Sequence, residues 1–153
     1  MNGAYVHLLF NHVPVIGIPL VALLLLTGIL RKNSEVLRIA FAGFILIAAL
    51  TIPAYKSGGP AARLIRDLPQ VSMHDIQEHA EDATWGFRAV MLLGGMGIVG
   101  FWLTKKPTAI SRGFTVATLV TALLVSAWLA NVAHLGGLIR HPEIQQESNT
   151  GKQ

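Results

Sequence analysis

Four stretches of this sequence, Val6 to Leu30, Val36 to Tyr55, Ala83 to Leu103 and Gly113 to Leu138, are each apolar over a length that crosses a bilayer, for which roughly 20 residues suffice. Backbone groups in hydrocarbon have no water partner, so each stretch must close its hydrogen bonds internally, as a helix. A mean hydropathy of +0.54 and a charged fraction of only 13% are too apolar for a soluble domain of this size. The expected fold is therefore all-α, an integral membrane four-helix bundle over residues 1–142. A short interfacial amphipathic helix is expected between spans two and three, and a flexible tail over 143–153.

Charge placement gives an orientation. The turn after the first span carries Arg31, Lys32 and Arg38 against Glu35, and the turn after the third carries Lys105, Lys106 and Arg112 with no acid. Basic residues concentrate in cytoplasmic loops, so both termini and the second connection are expected outside, in the periplasm of a bacterial inner membrane. The net charge of +4 is spread over these short loops, which fits topology and excludes a continuous nucleic-acid surface. The first span lacks a basic leader and a small-x-small cleavage site, and is read as an uncleaved span. Cysteine is absent, which removes disulfides, thiolate metal sites and covalent haem attachment.

Around the second connection, Pro53-Ala-Tyr55-Lys56-Ser-Gly-Gly59-Pro60 is a run of helix breakers that should turn the chain out of the bilayer. Ala61 to Leu68 then has helical apolar spacing, with Arg63, Arg66 and Asp67 opposite, and is expected at the headgroups as a lid over the bundle. After Pro69, Ser72-Met-His-Asp75 has the form of a helix start, so the third helix begins before the membrane. Gly94, Gly95, Gly97 and Gly100 further along it allow close helix approach.

All six histidines fall at the span ends assigned to the outer face: His7 and His12, His74 and His79, His134 and His141. Polar groups at the edge of a membrane helix usually turn to the bundle interior, and Asn11, His12, His79, Asp82, Arg88, Asn131 and His134 are the candidates. On the third helix Asp75, His79 and Asp82 are spaced i, i+4 and i+7, with Glu78 four before Asp82, so imidazole and carboxylates share a face. His12, His79 and His134 come from three helices at one depth and are expected to share a site. His7 and His74 read as interfacial residues, and His141 either as a ligand or as a residue favoured by the helix C-terminus.

An imidazole cluster without thiols suits two chemistries. Two histidines on facing helices can clamp b-type haem, and His with carboxylates can hold copper, zinc or iron. The haem ligands would come from His12, His79, His134 and His141; the metal ligands from His12, His79, His134, Glu78 and Asp82. Arg88, inside the hydrocarbon edge, needs an anion, which favours a haem propionate, unless it snorkels outward beside Glu81. Trp85, Trp128 and Tyr55 read as interface or packing aromatics, and Trp102 beside Lys105 as part of the inner aromatic belt.

Asn11-His12-Val-Pro14, Pro53-Ala-Tyr55-Lys-Ser-Gly58, Glu78-His79 and His134-Leu-Gly136-Gly137 followed by Ile139-Arg140-His141-Pro142-Glu143 resemble a group of uncharacterised bacterial four-span membrane proteins. The same order is similar to a larger family of predicted membrane proteins of unknown function, with His-Phe-Pro opening span one and His-x-Gly-Gly closing helix four. The resemblance covers nearly the whole chain and places His12, His79 and His134 at its three motif positions. Two positions differ: Lys56-Ser57-Gly58 stands for x-Thr-Gly, and nearer relatives carry Asn at the place of His134. That second difference makes His141 the alternative ligand.

The expected function is a haem electron-transfer protein exchanging electrons with the quinone pool or a redox partner. The alternatives are a metal-binding membrane protein and a cofactor-free accessory subunit of a larger respiratory complex. No nucleophile stands beside a base, so an enzymatic role is left open, as is association into a homo-oligomer. A transporter would need a second copy to supply alternating halves.

Overall fold

The computed structural model describes residues 3–68, 71–105 and 111–140, all but a few of them helical. In chain order the elements are α1 (Gly3–Phe10), α2 (His12–Arg31), α3 (Ser34–Ile65), α4 (Met73–Leu103) and α5 (Arg112–Arg140). With α1 and α2 forming one interrupted rod, four helical rods are long and apolar enough to cross a membrane. In the most apolar 18-residue window of each, only 28% to 39% of residues are buried within the protein. The remainder, including Leu20, Leu23, Leu46, Leu92 and Leu124, faces outward, and so much exposed apolar surface is compatible only with lipid as the solvent. The chain is a multi-pass membrane protein built as an all-α bundle.

The rods form a ring in which α2 packs on α3 and α5, and α4 packs on the same two, so α2 and α4 are diagonal. Each rod shows an inward stripe at three- and four-residue spacing. On α2 it is Pro14, Ile18, Ala22, Leu25 and Gly28; on α4 it is Gly86, Val90, Leu93, Gly94, Gly97 and Gly100. On α5 it is Thr115, Thr118, Ala122, Val125, Leu129 and Val132. The closest approach is α3 against α4, where Gly94 meets Ala48, Gly97 meets the Phe41 carbonyl and Gly100 meets the Phe41 ring. Gly95 differs from the packing expected of it: it is exposed and has nothing near it, because one residue along a helix rotates the side chain by about 100°.

Buried hydroxyls are satisfied inside their own helices. Thr51 donates to Ile47 O at 2.7 Å, Thr118 to Phe114 O at 2.9 Å and Ser57 to Pro53 O at 2.7 Å, the bonding available to Ser and Thr where no water reaches. At the basic end of the bundle α2 and α3 are joined by a two-residue turn. Lys32 adopts the left-handed conformation (φ 50°) and Asn33 Oδ1 accepts from the Glu35 and Val36 amides at 3.0 and 3.1 Å. Removing that cap in Asn33→Ala should lower thermal stability in detergent by about 1 kcal/mol.

Two expectations about helix boundaries are corrected. The helix does not break at Pro53–Pro60: α3 runs on through both prolines and through Gly58 and Gly59. Ala61 to Ile65 are its last turn rather than a separate amphipathic helix, with Arg66–Leu68 forming a turn beyond it. Proline removes one helical bond, but a stretch of unpaired backbone at the membrane edge would lose several, so the helix persists. The first span is interrupted instead, at Asn11, because Pro14 has no N–H for the Phe10 carbonyl. The start of α4 is as expected, with Ser72 Oγ accepting from the Asp75 amide at 3.4 Å. The tail from 143, His141 and the expected break at Pro69 lie outside the described residues.

Candidate functional site

At 1.5 Å per residue, α3 is about 48 Å long, against roughly 30 Å of hydrocarbon. Counting about 20 residues from the basic turns brings the opposite boundary near Asn11, Ser57, Ala83 and His134. The polar groups of α1, the end of α3, the start of α4 and the end of α5 therefore gather at one mouth of the bundle.

Two imidazoles dock there in the same way. On α1, His7 Nδ1 lies 3.0 Å from Ala54 O of α3, and its Cε1 stands over Gly58, four residues on. On α4, His79 Nδ1 lies 3.0 Å from Val132 O of α5, with Cε1 over Gly136, again four residues on. A carbonyl can only accept, so in each ring Nδ1 carries the proton and donates; the neutral ring then keeps its lone pair on Nε2. Glycine one turn beyond the acceptor opens the space that the ring occupies. A Cβ at Gly136 would stand 3.0 Å from His79 Cε1, and one at Gly58 would stand 3.6 Å from His7 Cε1. The two rings come from diagonal rods at the same mouth, and Asp82 follows His79 one turn along α4.

The surrounding polar contacts hold the second dock. Asp82 Oδ2 accepts from Asn131 Nδ2 at 3.0 Å, and the Asp82 carbonyl accepts from Trp128 Nε1 at 3.1 Å. These tie α4 to α5 one turn below His79. Tyr55 of α3 stacks on Phe87 of α4, with centroids 4.2 Å apart, and its hydroxyl lies 3.2 Å from Thr84 Oγ1. Asn11 Oδ1, at the break between α1 and α2, is buried and has no hydrogen-bond partner among the described residues.

The expected trio of His12, His79 and His134 does not converge. His12 opens α2 in line with Leu8, Ile16 and Leu20, all exposed, whereas His7 and Asn11 continue the inward stripe of Pro14 and Ile18. Five residues separate His7 from His12, a rotation of about 140° net, so the two cannot face the same way. His134 is exposed on α5, two residues past the inward Val132. Arg88 likewise turns outward, its guanidinium 4.6 Å from the Trp85 ring centroid. Glu78 is exposed and belongs with His74, not with His79. Among the sequence-assigned residues, Asn11, His79, Asp82 and Asn131 remain at the mouth; His7, read as interfacial, joins them.

A separate polar group opens α4. His74 Nδ1 lies 3.7 Å from Asp75 Oδ1 and 4.0 Å from Glu78 Oε2, and one ligand atom from each of the three falls within 4.8 Å of the others. The shallow groove beside it, about 270 Å³, is lined by His74, Gln77, Glu78 and Glu81. At the opposite, basic end, Lys105 Nζ stands 3.6 Å from the Trp102 ring centroid. No family model matches the chain, and comparison with curated proteins and with solved structures finds no match.

Proposed function

We propose that this protein is a bacterial inner-membrane electron carrier that holds b-type haem between the Nε2 atoms of His7 and His79, beside the periplasmic face, and exchanges electrons with the quinone pool or a membrane redox partner. One observation carries the reading: two imidazoles from diagonal rods are each fixed by an Nδ1–H bond to a neighbouring helix carbonyl. Histidines that ligate metals are oriented by this second bond, which sets the tautomer and raises the basicity of the ligating nitrogen. The donor set fits haem, which takes neutral imidazole as an axial ligand. Bound between two such nitrogens, the group supplies one-electron chemistry. His7 and His79 would hold it, Gly58 and Gly136 leave room for the rings, and the apolar rods exclude water below.

The periplasmic placement of both termini rests on the basic inner turns. In the resemblance to four-span proteins of unknown function, His7 would be an additional ligand beside the motif histidine His79. The reading is tested by absorption of the dithionite-reduced protein in detergent. A Soret band is expected in the wild type, unchanged in His12→Ala and His134→Ala, which alter exposed rings. Absence of the band from protein purified out of haem-replete cells would sink the haem reading.

The grouping of His74, Asp75 and Glu78 favours a second reading, a copper, zinc or iron site at the start of α4. Elemental analysis finding one equivalent of metal, no haem, and loss of that metal in His74→Ala would select it.

A further inference from the structure

We infer that α1 is a hinged lid over the imidazole pair, turning about Asn11 and latched by His7, and that its opening admits ligand to His79. The inference deepens the proposed reading, since it takes the imidazole pair to be a ligand site, but it does not depend on which ligand is bound.

Several independent features meet in this short segment. At the junction with α2 the helical ladder lacks one rung, since Pro14 leaves the Phe10 carbonyl without its donor, although Asn11 keeps helical angles and its amide donates to His7 O at 2.9 Å. Beyond the break, α2 buries five residues in the bundle, whereas α1 buries none. α1 packs along the end of α3, outside the buried core, where the His7 Nδ1 bond to Ala54 O and the seating of Gly3 against Pro60 anchor it. Both can be released without opening the core. The hinge residue, meanwhile, carries a buried carbonyl oxygen with no donor among the described residues. A dry, unpaired acceptor destabilises the arrangement that buries it, so Asn11 biases the lid toward opening, which would bring its amide to water at the membrane edge. The latch and the hinge therefore oppose one another. Closing keeps His7 at the same mouth as His79; opening withdraws it and leaves the half-buried His79, still tied to Val132, accessible from outside.

The absence of cysteine makes a direct test available. In the double variant Gly3→Cys with Pro60→Cys the introduced thiols are the only ones, and the built Cβ at Gly3 lies 2.7 Å from Pro60 Cβ, near enough for a disulfide after a small adjustment. The full chain in nanodiscs, free of cofactor, is treated with diethylpyrocarbonate, and acylation of His79 is followed by peptide mass mapping. With the disulfide formed, labelling of His79 should be at least about tenfold slower than after reduction; equal rates would overturn the inference. Asn11→Leu provides the second arm. Removing the unpaired acceptor should favour the closed lid and slow both His79 labelling and amide exchange across α1 by about tenfold; unchanged or faster rates would also overturn it. Because neither arm reads haem or metal, a protein with a gated His79 and no Soret band would keep the lid and discard the haem.

Discussion

Gly100→Ala should destabilise the bundle by roughly 1–3 kcal/mol, the usual cost of forcing one extra methyl into a packed core, while the same change at Gly95 should stabilise it by about 0.5–1 kcal/mol. At Gly100 the new methyl would collide with the ring of Phe41. That ring is fully buried and lies 6.1 Å from the Phe114 centroid, so it has little room to swing. The alternative is to separate α3 from α4, which also lengthens the contacts at Gly94 and Gly97 on the same stripe. In lipid this is costly, because helix association rests on close packing and has no hydrophobic drive to replace it. At Gly95 there is nothing within 4 Å, so alanine there acts only through helix propensity. Unfolding in mixed detergent and SDS, with both variants measured against the wild type, should show shifts of opposite sign. Destabilisation of equal size at both positions would mean that the α3–α4 face is not the one described.

The fold was legible because lipid simplifies the problem: a run of about 20 apolar residues has to be a helix whatever its local propensity. The same rule explains why the helix boundaries were harder to read. Pro53, Gly58, Gly59 and Pro60 are breakers in water, yet α3 runs through them, while Pro14, an ordinary residue near a helix start, produced the interruption at Asn11. At the site, depth was legible and direction was not. In the sequence the six histidines fall at one set of span ends, but depth alone does not distinguish His7 from His12. The distinguishing signal was present in the spacing: His7, Asn11, Pro14 and Ile18 follow one stripe, and Leu8, His12, Ile16 and Leu20 follow the other. On α5, likewise, His134 is out of phase with Leu129, Val132 and Gly136. Phase, however, does not say what a ring will touch. The acceptors of His7 and His79 are backbone carbonyls 47 and 53 residues away, and every residue type supplies a carbonyl, so those partners left no mark in the sequence.

If the protein binds haem as proposed, His79→Ala should abolish the haem absorbance altogether, and Gly136→Val should nearly do so without touching a ligand. On the proposed reading, loss of the imidazole would remove one of the two nitrogens that would hold the group, and α4 offers no other histidine on the same face at that depth. The valine acts through position. Already at alanine the new methyl would stand 3.0 Å from His79 Cε1, tighter than ordinary contact; the two further methyls of valine occupy the space of the ring. The ring must then turn away from Val132 O, losing the bond that selects its tautomer and direction. Gly58→Ala is the matched control, because its methyl would meet His7 Cε1 at 3.6 Å, an ordinary van der Waals distance, and the dock on α3 should survive. The structural arm of the experiment needs no haem: imidazole nitrogen-15 shifts of the cofactor-free protein should show the Nδ1-protonated form of His79 in the wild type and Gly58→Ala, and tautomer exchange in Gly136→Val. Should Gly136→Val retain both that tautomer and full haem occupancy, the Val132 dock is not what aims His79, and the case for a site built from two matched imidazoles fails with it.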